Sequence, residues 1–344
     1  MTASIPPSTR WQDHLGHRIV VRVRSATGLR DVLGDLIEAT DDRLRVRTRR
    51  GEVDVDTATI TAGHPVPPAP VRAAPPHRAI SVGSLELVMA QHWQAAEQDW
   101  LGGWLLRATS GFTNRANSVL AVGEPGMPMD VAVLEVSDWY AERGLRPTAA
   151  APVPRLDEDD TEQLLAAAGA FELAGWRPIA GAGALVMTGP TGELRGAGRG
   201  LPAGLTLELQ TTPDAAWIEQ YHYRGQAVPE HGIRLLTSAP DQVFVSIRDG
   251  DRVVGVARGS LAERWAGLTA MDVDSDYRRQ GLAGALIAAT AEWSWRLGAR
   301  SMQLQVGENN EAARLLYQAS GFEPHHSYAY LTPDPDLAVS PGRI

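Results

Sequence analysis

The sequence predicts a mixed α/β protein (α+β in its layering) in three parts: a small N-terminal β-barrel, a linker, and two successive copies of one α/β pattern. Three observations carry this. Residues before position 64 alternate apolar and polar with period two, the period of a half-buried strand. Six prolines stand in the twelve positions from Pro65 to Pro76, a composition that favours an extended polyproline path and a semi-rigid spacer. From Ile80 onward, helix, glycine, strand, helix and strand follow one another twice in the same order, a weak repeat carried by element order more than by residue identity. The predicted divisions are 10–64, 65–79, 80–200 and 203–331.

Length and composition agree. At 344 residues, 44% apolar and 21% charged, the chain is long enough for two or three domains with a substantial core. No stretch approaches the roughly 18 to 20 consecutive apolar residues of a membrane span. The start, MTASIPPSTRWQD, lacks the basic opening and apolar run of a secretion signal, so a cytoplasmic location is expected. There is no cysteine, which excludes disulfides, thiolate metal sites and cysteine nucleophiles. All 32 cationic residues are arginine, as a G+C-rich genome would produce, and the absence of lysine excludes Schiff-base chemistry. A net charge of -9 argues against a whole-protein nucleic-acid binder and mildly favours cationic partners.

In the N-terminal part, His17 to Arg24 sets Ile19, Val21 and Val23 against Arg18, Val20, Arg22 and Arg24. Arg43 to Arg49 sets Leu44 and Val46 against Arg43, Arg45, Arg47 and Arg49. Arg50-Gly51 marks a hairpin turn. Five short strands in this length resemble SH3-like or Sm-like barrels. An arginine row could grip nucleic-acid phosphates, but residues 10 to 62 hold ten arginines against nine acids. A solvated, self-paired face is the expectation.

The first copy predicts helix Leu85 to Asp99, a strand–polar turn–strand over GGWLLRATSGFTNRANSVLAVG, helix Asp130 to Arg143, extended Pro147 to Val153, helix Asp157 to Ala168 and strand Ala184 to Thr188. The second predicts strand 205 to 210 and helix Asp214 to Arg224 after Pro213. Two strands then flank Asp249-Gly250, a strong hairpin signal. Strand 265 to 273, helix Gly284 to Leu297, strand Arg300 to Val306, helix Glu311 to Ser320 and strand Ser327 to Leu331 complete it.

The informative segment is DVDSDYRRQGLAGALIAATAEW, residues 272 to 293. Arg278-Arg279-Gln280-Gly281-Leu282-Ala283 lies between a strand and a helix. Such a turn points several unpaired N–H groups one way beside the positive end of the helix dipole, and so cradles a pyrophosphate. Gly281 lets the backbone approach, and the small Ala283 leaves room. By composition, R-x-x-G-x-[GA] arises by chance roughly once in a chain like this, so context must decide. One strand later comes Asn310-Glu-Ala-Ala313-Arg-Leu-Leu316-Tyr317-Gln-Ala-Ser-Gly321-Phe322.

With both segments in this order, the chain resembles the GNAT N-acetyltransferase superfamily. The first segment is similar to its acyl-CoA loop [QR]-x-x-G-x-[GA], and the second to its N-x-x-A-x-x-L-Y-x-x-x-G-F helix. The resemblance covers residues 203–331. It implies a C-terminal GNAT fold and makes 80–200 look like a degenerate GNAT half, with EPGMPMD where the loop would stand and no cofactor expected there.

The resemblance implies acetyl-CoA as cosubstrate, with its pyrophosphate on the backbone of Arg279 to Gly284 and its arm along Met271 to Val273. A backbone N–H where the strand splays near Val273 would polarise the thioester carbonyl. Tyr317 would protonate the thiolate, since a phenol of reference pKa about 10 is protonated at neutral pH. Asn310 would orient the cofactor arm. An alkylammonium must also lose a proton. The strand before the loop has no central glutamate, leaving Asp272, Glu230, His231, Glu263 and Glu208 as candidates.

Other features carry less. Ser110 to Asn117 is polar for a hairpin and could reach the acceptor pocket from the first copy. Trp93, Trp100, Trp104 and Trp139 are expected in the core. His325-His326 is expected to be solvated, not metal-binding. The expectation is thus a metal-free, acetyl-CoA-dependent N-acetyltransferase, a monomer or homodimer without membrane or nucleic-acid partners, that transfers directly to a primary amine. The alternatives are a CoA-sensing regulator and a nucleic-acid binder acting through the SH3-like part.

Overall fold

A computed structural model describes residues 11–25, 28–48, 51–66, 74–156, 158–198, 200–223 and 226–335. Residues 1–10, Arg49, Arg50, Asp157, Arg224 and 67–73 of the expected linker lie outside them. The chain divides into two compact units, Met1–Ala73 and Ala74–Ile344.

The first unit is an antiparallel sheet of β1 (Arg18–Ser25), β2 (Gly28–Ala39), β3 (Arg43–Thr48), β4 (Gly51–Asp56) and β5 (Ile60–Pro65), in the order β4-β3-β2-β1-β5. The alternation works as the period-two pattern dictates. Ile19, Val21, Val23, Leu44, Val46 and Val55 are buried on one face. On the other, the β3–β4 register sets Arg43 opposite Asp56, Arg45 opposite Asp54 and Arg47 opposite Glu52. Arg45 Nε donates to Asp54 at 2.8 Å, Arg43 Nη2 to Glu38 at 2.8 Å and Arg22 Nε to Asp31 at 2.7 Å. These exposed pairs contribute little stability. Their effect is to neutralise the arginine row, as the charge count indicates.

The second unit opens earlier than expected. Pro76 starts a single helical turn, α1 (Pro76–Ala79), whose His77 is buried and whose His77 carbonyl accepts from Thr188 Oγ1 at 2.7 Å. Residues 76–79 are therefore packed structure and not linker. Next come α2 (Val82–His92), β6 (Glu97–Leu101), β7 (Trp104–Ala108), β8 (Val119–Leu120), α3 (Met129–Glu142), β9 (Ala149–Pro152), α4 (Thr161–Leu173), β10 (Trp176–Pro178), β11 (Ala184–Pro190) and α5 (Thr191–Leu194). The repeat follows with β12 (Leu205–Gln210), α6 (Ala215–Gln220), the small pair β13 (His222–Tyr223) and β14 (Gln226–Ala227), α7 (Glu230–Leu236), β15 (Asp241–Asp249), β16 (Arg252–Ala262), β17 (Trp265–Val273), α8 (Leu282–Arg296), β18 (Ser301–Gly307), α9 (Glu311–Ser320) and β19 (Glu323–Pro333).

The repeat is visible in the topology. β6-β7-β8 is an antiparallel run that crosses through α3 to the parallel strand β9; β15-β16-β17 crosses through α8 to the parallel strand β18 in the same way. One expectation is corrected here. The helix predicted for Leu85 to Asp99 stops at His92, because residues 97–101 pair with 104–108 across a tight Gly102-Gly103 turn. Gly102 has φ +58°, and a Cβ there would stand 2.3 Å from the Pro125 carbonyl carbon, so backbone approaches where only glycine fits.

The halves do not fold side by side as independent sheets. From β6 onward, all the strands except β13 and β14 form one 12-stranded sheet, in which β11 of the first half lies between β18 and β19 of the second, and β19 lies beside β9 and β10 of the first. The cores are shared in the same manner. Met187 and Leu194 pack with Leu268, Leu286 and Leu304, while Trp265, Tyr328 and Tyr330 pack with Val82 and Leu85. Each half closes the other.

Candidate active site

The site begins where two parallel strands part. The β17–β18 ladder runs from Trp265–Ser301 to Leu268–Leu304 and stops, although both strands continue. Ala270 has φ +50°, a strained value for a residue with a Cβ, and the β16–β17 register shifts between Val256 and Arg258. Beneath the kink lies Arg258, fully buried, which donates to Thr269 Oγ1 at 3.2 Å and to the His92 carbonyl and Gln242 Oε1 at 3.1 Å. Burial pulls its pKa down to about 9. Burial, with Arg258 alongside, pulls His92 down to about 3.

The wedge opens into two cavities that share Leu268, Thr269, Ala270, Gln305 and Asn310. The larger, about 400 Å³, is walled by Trp93, Tyr221, Tyr328, Tyr330 and the 113–115 turn. The smaller, about 270 Å³, extends past Met271 and His222 to Tyr317. The Ser110 to Asn117 turn therefore does reach across from the first half. Asn117 organises it: Oδ1 accepts from Thr109 N at 2.7 Å and Gly111 N at 3.0 Å, and Nδ2 donates to the Phe112 and Thr113 carbonyls at 2.8 Å. Thr113 sits at φ +62° and accepts from Trp93 Nε1 at 3.2 Å. Trp93 and Trp104 are buried as expected. Trp100 is 57% exposed, because β6 is an edge strand and turns that side chain outward.

The loop into α8 holds itself. Asp274 accepts from Asp276 N at 3.0 Å and pairs with Arg252, and Arg278 Nε donates to the Val273 carbonyl at 3.1 Å. Gln280 Nε2 donates to the Asp276 carbonyl at 3.1 Å. Arg279, exposed, takes φ +60°, and Gly281 caps α8 in the left-handed region at φ +88° with no side chain bonded to the helix start. The N–H groups of Leu282, Ala283 and Gly284 thus enter the first turn, where an α-helix has no acceptor for them. A Cβ on Gly281 would meet nothing, whereas one on Gly284 would stand 2.8 Å from the Ala197 carbonyl oxygen. Gly281 serves a conformation, and Gly284 serves packing.

Tyr317 is buried on α9, edge-on to Phe322 at 5.9 Å. Burial pushes its hydroxyl up to about 12. Asn310 caps the same helix, its Oδ1 accepting from Ala313 N at 3.1 Å, and borders both cavities. Met271 lines the smaller cavity. Val273 lines neither, because the strands part at Leu268 and not near Val273.

None of the five base candidates lines either cavity. Glu208 accepts from Arg248 at 2.7 Å, Glu230 from Arg234 at 2.9 Å and Glu263 from Gln91 at 2.5 Å. His231 packs edge-on to Phe112 at 5.8 Å, and Asp272 pairs with Val256 along the sheet. His325 and His326, expected in solvent, are buried, because β19 runs through the middle of the sheet. Arg258 escaped the sequence reading, although an arginine inside the apolar run VVGVARGSL is a signal, since arginine is almost never fully buried without a reason. Among the described residues no three His, Asp or Glu side chains gather in a metal-binding group, and no helix is long and apolar enough to cross a membrane.

Comparison with known proteins agrees with this geometry. The family model described as "Probable histone acetyltransferase Rv0428c C-terminal" matches residues 80–331. The probable histone acetyltransferase Rv0428c of Mycobacterium tuberculosis is 29% identical over 338 residues, covering 92% of this chain and 95% of that protein. The uncharacterized N-acetyltransferase YobR of Bacillus subtilis is 25% identical over 253 residues, covering 72% of this chain and 97% of YobR. A GCN5-related N-acetyltransferase from Kribbella flavida shares the fold with a TM-score of 0.53 at 20% identity, over 74% of this chain and 97% of its own. The chain therefore belongs to the Rv0428c C-terminal acetyltransferase family, with the fold of a GCN5-related N-acetyltransferase, and it is an acyltransferase.

Proposed function

We propose that this protein transfers an acetyl group from acetyl-CoA directly to a primary amine, in the cytoplasm. The observation that supports the reading is that the parted strands at Thr269 to Met271 and the buried Tyr317 border one cavity, in a chain whose α8 starts without a capping side chain. The first-turn amides of Leu282, Ala283 and Gly284 suit a pyrophosphate, with exposed Arg279 and Arg278 as counter-charge. Backbone donors in the kinked Thr269–Met271 segment, released from pairing with β18, are available to a thioester carbonyl. Tyr317, held fully protonated, supplies a proton to the departing sulfur. With no cysteine in the chain, transfer needs no thioester on the protein.

The larger cavity would take the acceptor. Its walls are aromatic and hydrogen-bonding, Arg115 stands among them, and no carboxylate does among the described residues. That favours a compact amine on an apolar or anionic body over a polybasic tail, even though the mycobacterial relative is named for histones. The test is a screen of amine acceptors that reads free CoA release. Tyr317→Phe is expected to lose at least tenfold in turnover while binding CoA as before. Equal turnover in the variant would remove Tyr317 from the chemistry. The absence of any heat on titrating CoA would remove the reading altogether.

A further inference from the structure

The acceptor's ammonium must give up a proton, yet the larger cavity shows neither a carboxylate nor an imidazole on its walls among the described residues. One layer behind that wall there is a carboxylate. A void of about 10 Å³ borders Glu86, Arg107, Arg115, Gln305, Tyr328 and Tyr330, and this is about the space one water needs. Arg115, Gln305, Tyr328 and Tyr330 also wall the acceptor cavity, so a single layer of side chains separates Glu86 from it.

Packing does not call for Glu86. It is 7% exposed on α2, at a position flanked on the same helix by buried Leu85 and Met89, and a buried carboxylate is costly unless it is bonded. Its Oε1 accepts from His326 Nε2 at 2.9 Å, and His326 Nδ1 lies 2.8 Å from His325 Nδ1. His325 Nε2 in turn lies 2.9 Å from Arg155 Nη1 and 3.0 Å from the Ile80 carbonyl. The charged and titratable groups around Glu86 are Arg107 on β7, Arg115 in the turn before β8, and His326, Tyr328 and Tyr330 on β19. Arg107 is committed to the Ser118 carbonyl at 2.9 Å and the Ser118 hydroxyl at 3.0 Å, and Tyr328 donates to Gln305 Oε1 at 2.7 Å. The carboxylate is anchored by the histidines on one side and borders the void on the other.

We infer that Glu86 accepts the proton of the amine through a water in this void, and that His326 and His325 are positioning residues that hold its carboxylate there. The inference rests on the acetyltransferase reading. The ammonium N–H bond breaks, its proton passes to the Tyr330 hydroxyl of the shared wall as that hydroxyl gives its own to the water, and a proton of the water passes to the Glu86 carboxylate. The freed lone pair forms a bond to the thioester carbonyl carbon and the C–S bond breaks. Tyr317 gives its proton to the sulfur and recovers one from the new amide nitrogen. Glu86 returns its proton to solvent before the next turnover.

The experiment compares two acceptors of one shape on the full chain: 2-phenylethylamine, charged at neutral pH, and O-benzylhydroxylamine, whose nitrogen is already neutral. Glu86→Gln keeps the bond from His326. It is expected to slow 2-phenylethylamine at pH 7 by at least about 100-fold, the usual worth of a general base, and O-benzylhydroxylamine by less than about threefold, with the deficit closing as pH approaches the amine's own pKa. His326→Asn, which leaves the carboxylate but frees it, is expected to slow only 2-phenylethylamine, by about tenfold; it carries the test if Glu86→Gln lowers the melting temperature. Equal losses on both probes in folded variants, or the selective loss appearing in His222→Gln instead, would overturn the assignment. Calorimetry with acetyl-CoA on the same preparations reads the underlying acetyltransferase assignment separately.

Discussion

The guanidinium of Arg258, with no solvent exposure at all, donates to Thr269 Oγ1 at 3.2 Å, one residue before the left-handed kink at Ala270. No carboxylate lies within salt-bridge distance of it among the described residues. A buried cation of that kind costs several kcal/mol in desolvation, and what it holds is the backbone that opens the wedge.

Arg258→Met should therefore separate stability from activity. Relief of the buried charge offsets the acceptors left bare at His92 and Gln242, so the melting temperature is expected to move by only a few degrees. Turnover is expected to fall at least tenfold as Thr269 loses its tether. A large fall in melting temperature with undiminished turnover would make Arg258 a purely structural residue.

Two glycines three residues apart should fail differently. Gly281→Ala forces a Cβ into the left-handed region at a cost of roughly 1–2 kcal/mol, and it deforms the amides proposed to take a pyrophosphate. Gly284→Ala drives a methyl against the Ala197 carbonyl, an overpacking cost of about 1–3 kcal/mol. Urea midpoints should fall for both. CoA affinity, measured by calorimetry, should fall beyond the stability loss for Gly281→Ala alone.

The exchanged strands predict that the halves cannot be separated. Residues 203–331 alone would leave β18 and β19 without β11 between them and remove Met187 and Leu194 from the core. That fragment is expected to aggregate or to lack a cooperative melt, whereas 74–335 should melt cooperatively. A stable, monomeric 203–331 would contradict the shared sheet.

Stability should also fall on mild acidification. Burial, then neighbouring His326, depresses His325 to about 4, and His92 is depressed to about 3. The unfolded chain takes up these protons near pH 6.5, so their stabilisation is complete above that value and is lost as pH falls toward the folded pKa values. Each histidine contributes a slope approaching about 1.4 kcal/mol per pH unit. Urea midpoints between pH 7 and 4.5 measure this, and His325→Gln should flatten the slope.

Several local elements around the cavities were legible in the sequence. A glycine-containing turn between a strand and α8, and Tyr317 on the helix Glu311 to Ser320, are local properties, and local sequence specifies them. The alternation of β1 and β3, and the cancellation of the arginine row by neighbouring acids such as Asp54 and Glu52, were legible for the same reason. The base was not. Glu86 and His326 lie 240 residues apart, and His326 stands just before the strand expected over Ser327 to Leu331, where solvent was expected.

By itself, then, the sequence determined the two α/β patterns, the glycine turn into α8 and the tyrosine helix, because each depends on backbone conformation and periodicity within a few residues. Tertiary structure alone decided that β11 and β19 cross between the halves, that the 113–115 turn walls the larger cavity, and that Arg258 and Glu86 are buried. Those outcomes follow from which strands share a sheet, and strand pairing depends on apolar faces that any of several partners could cover.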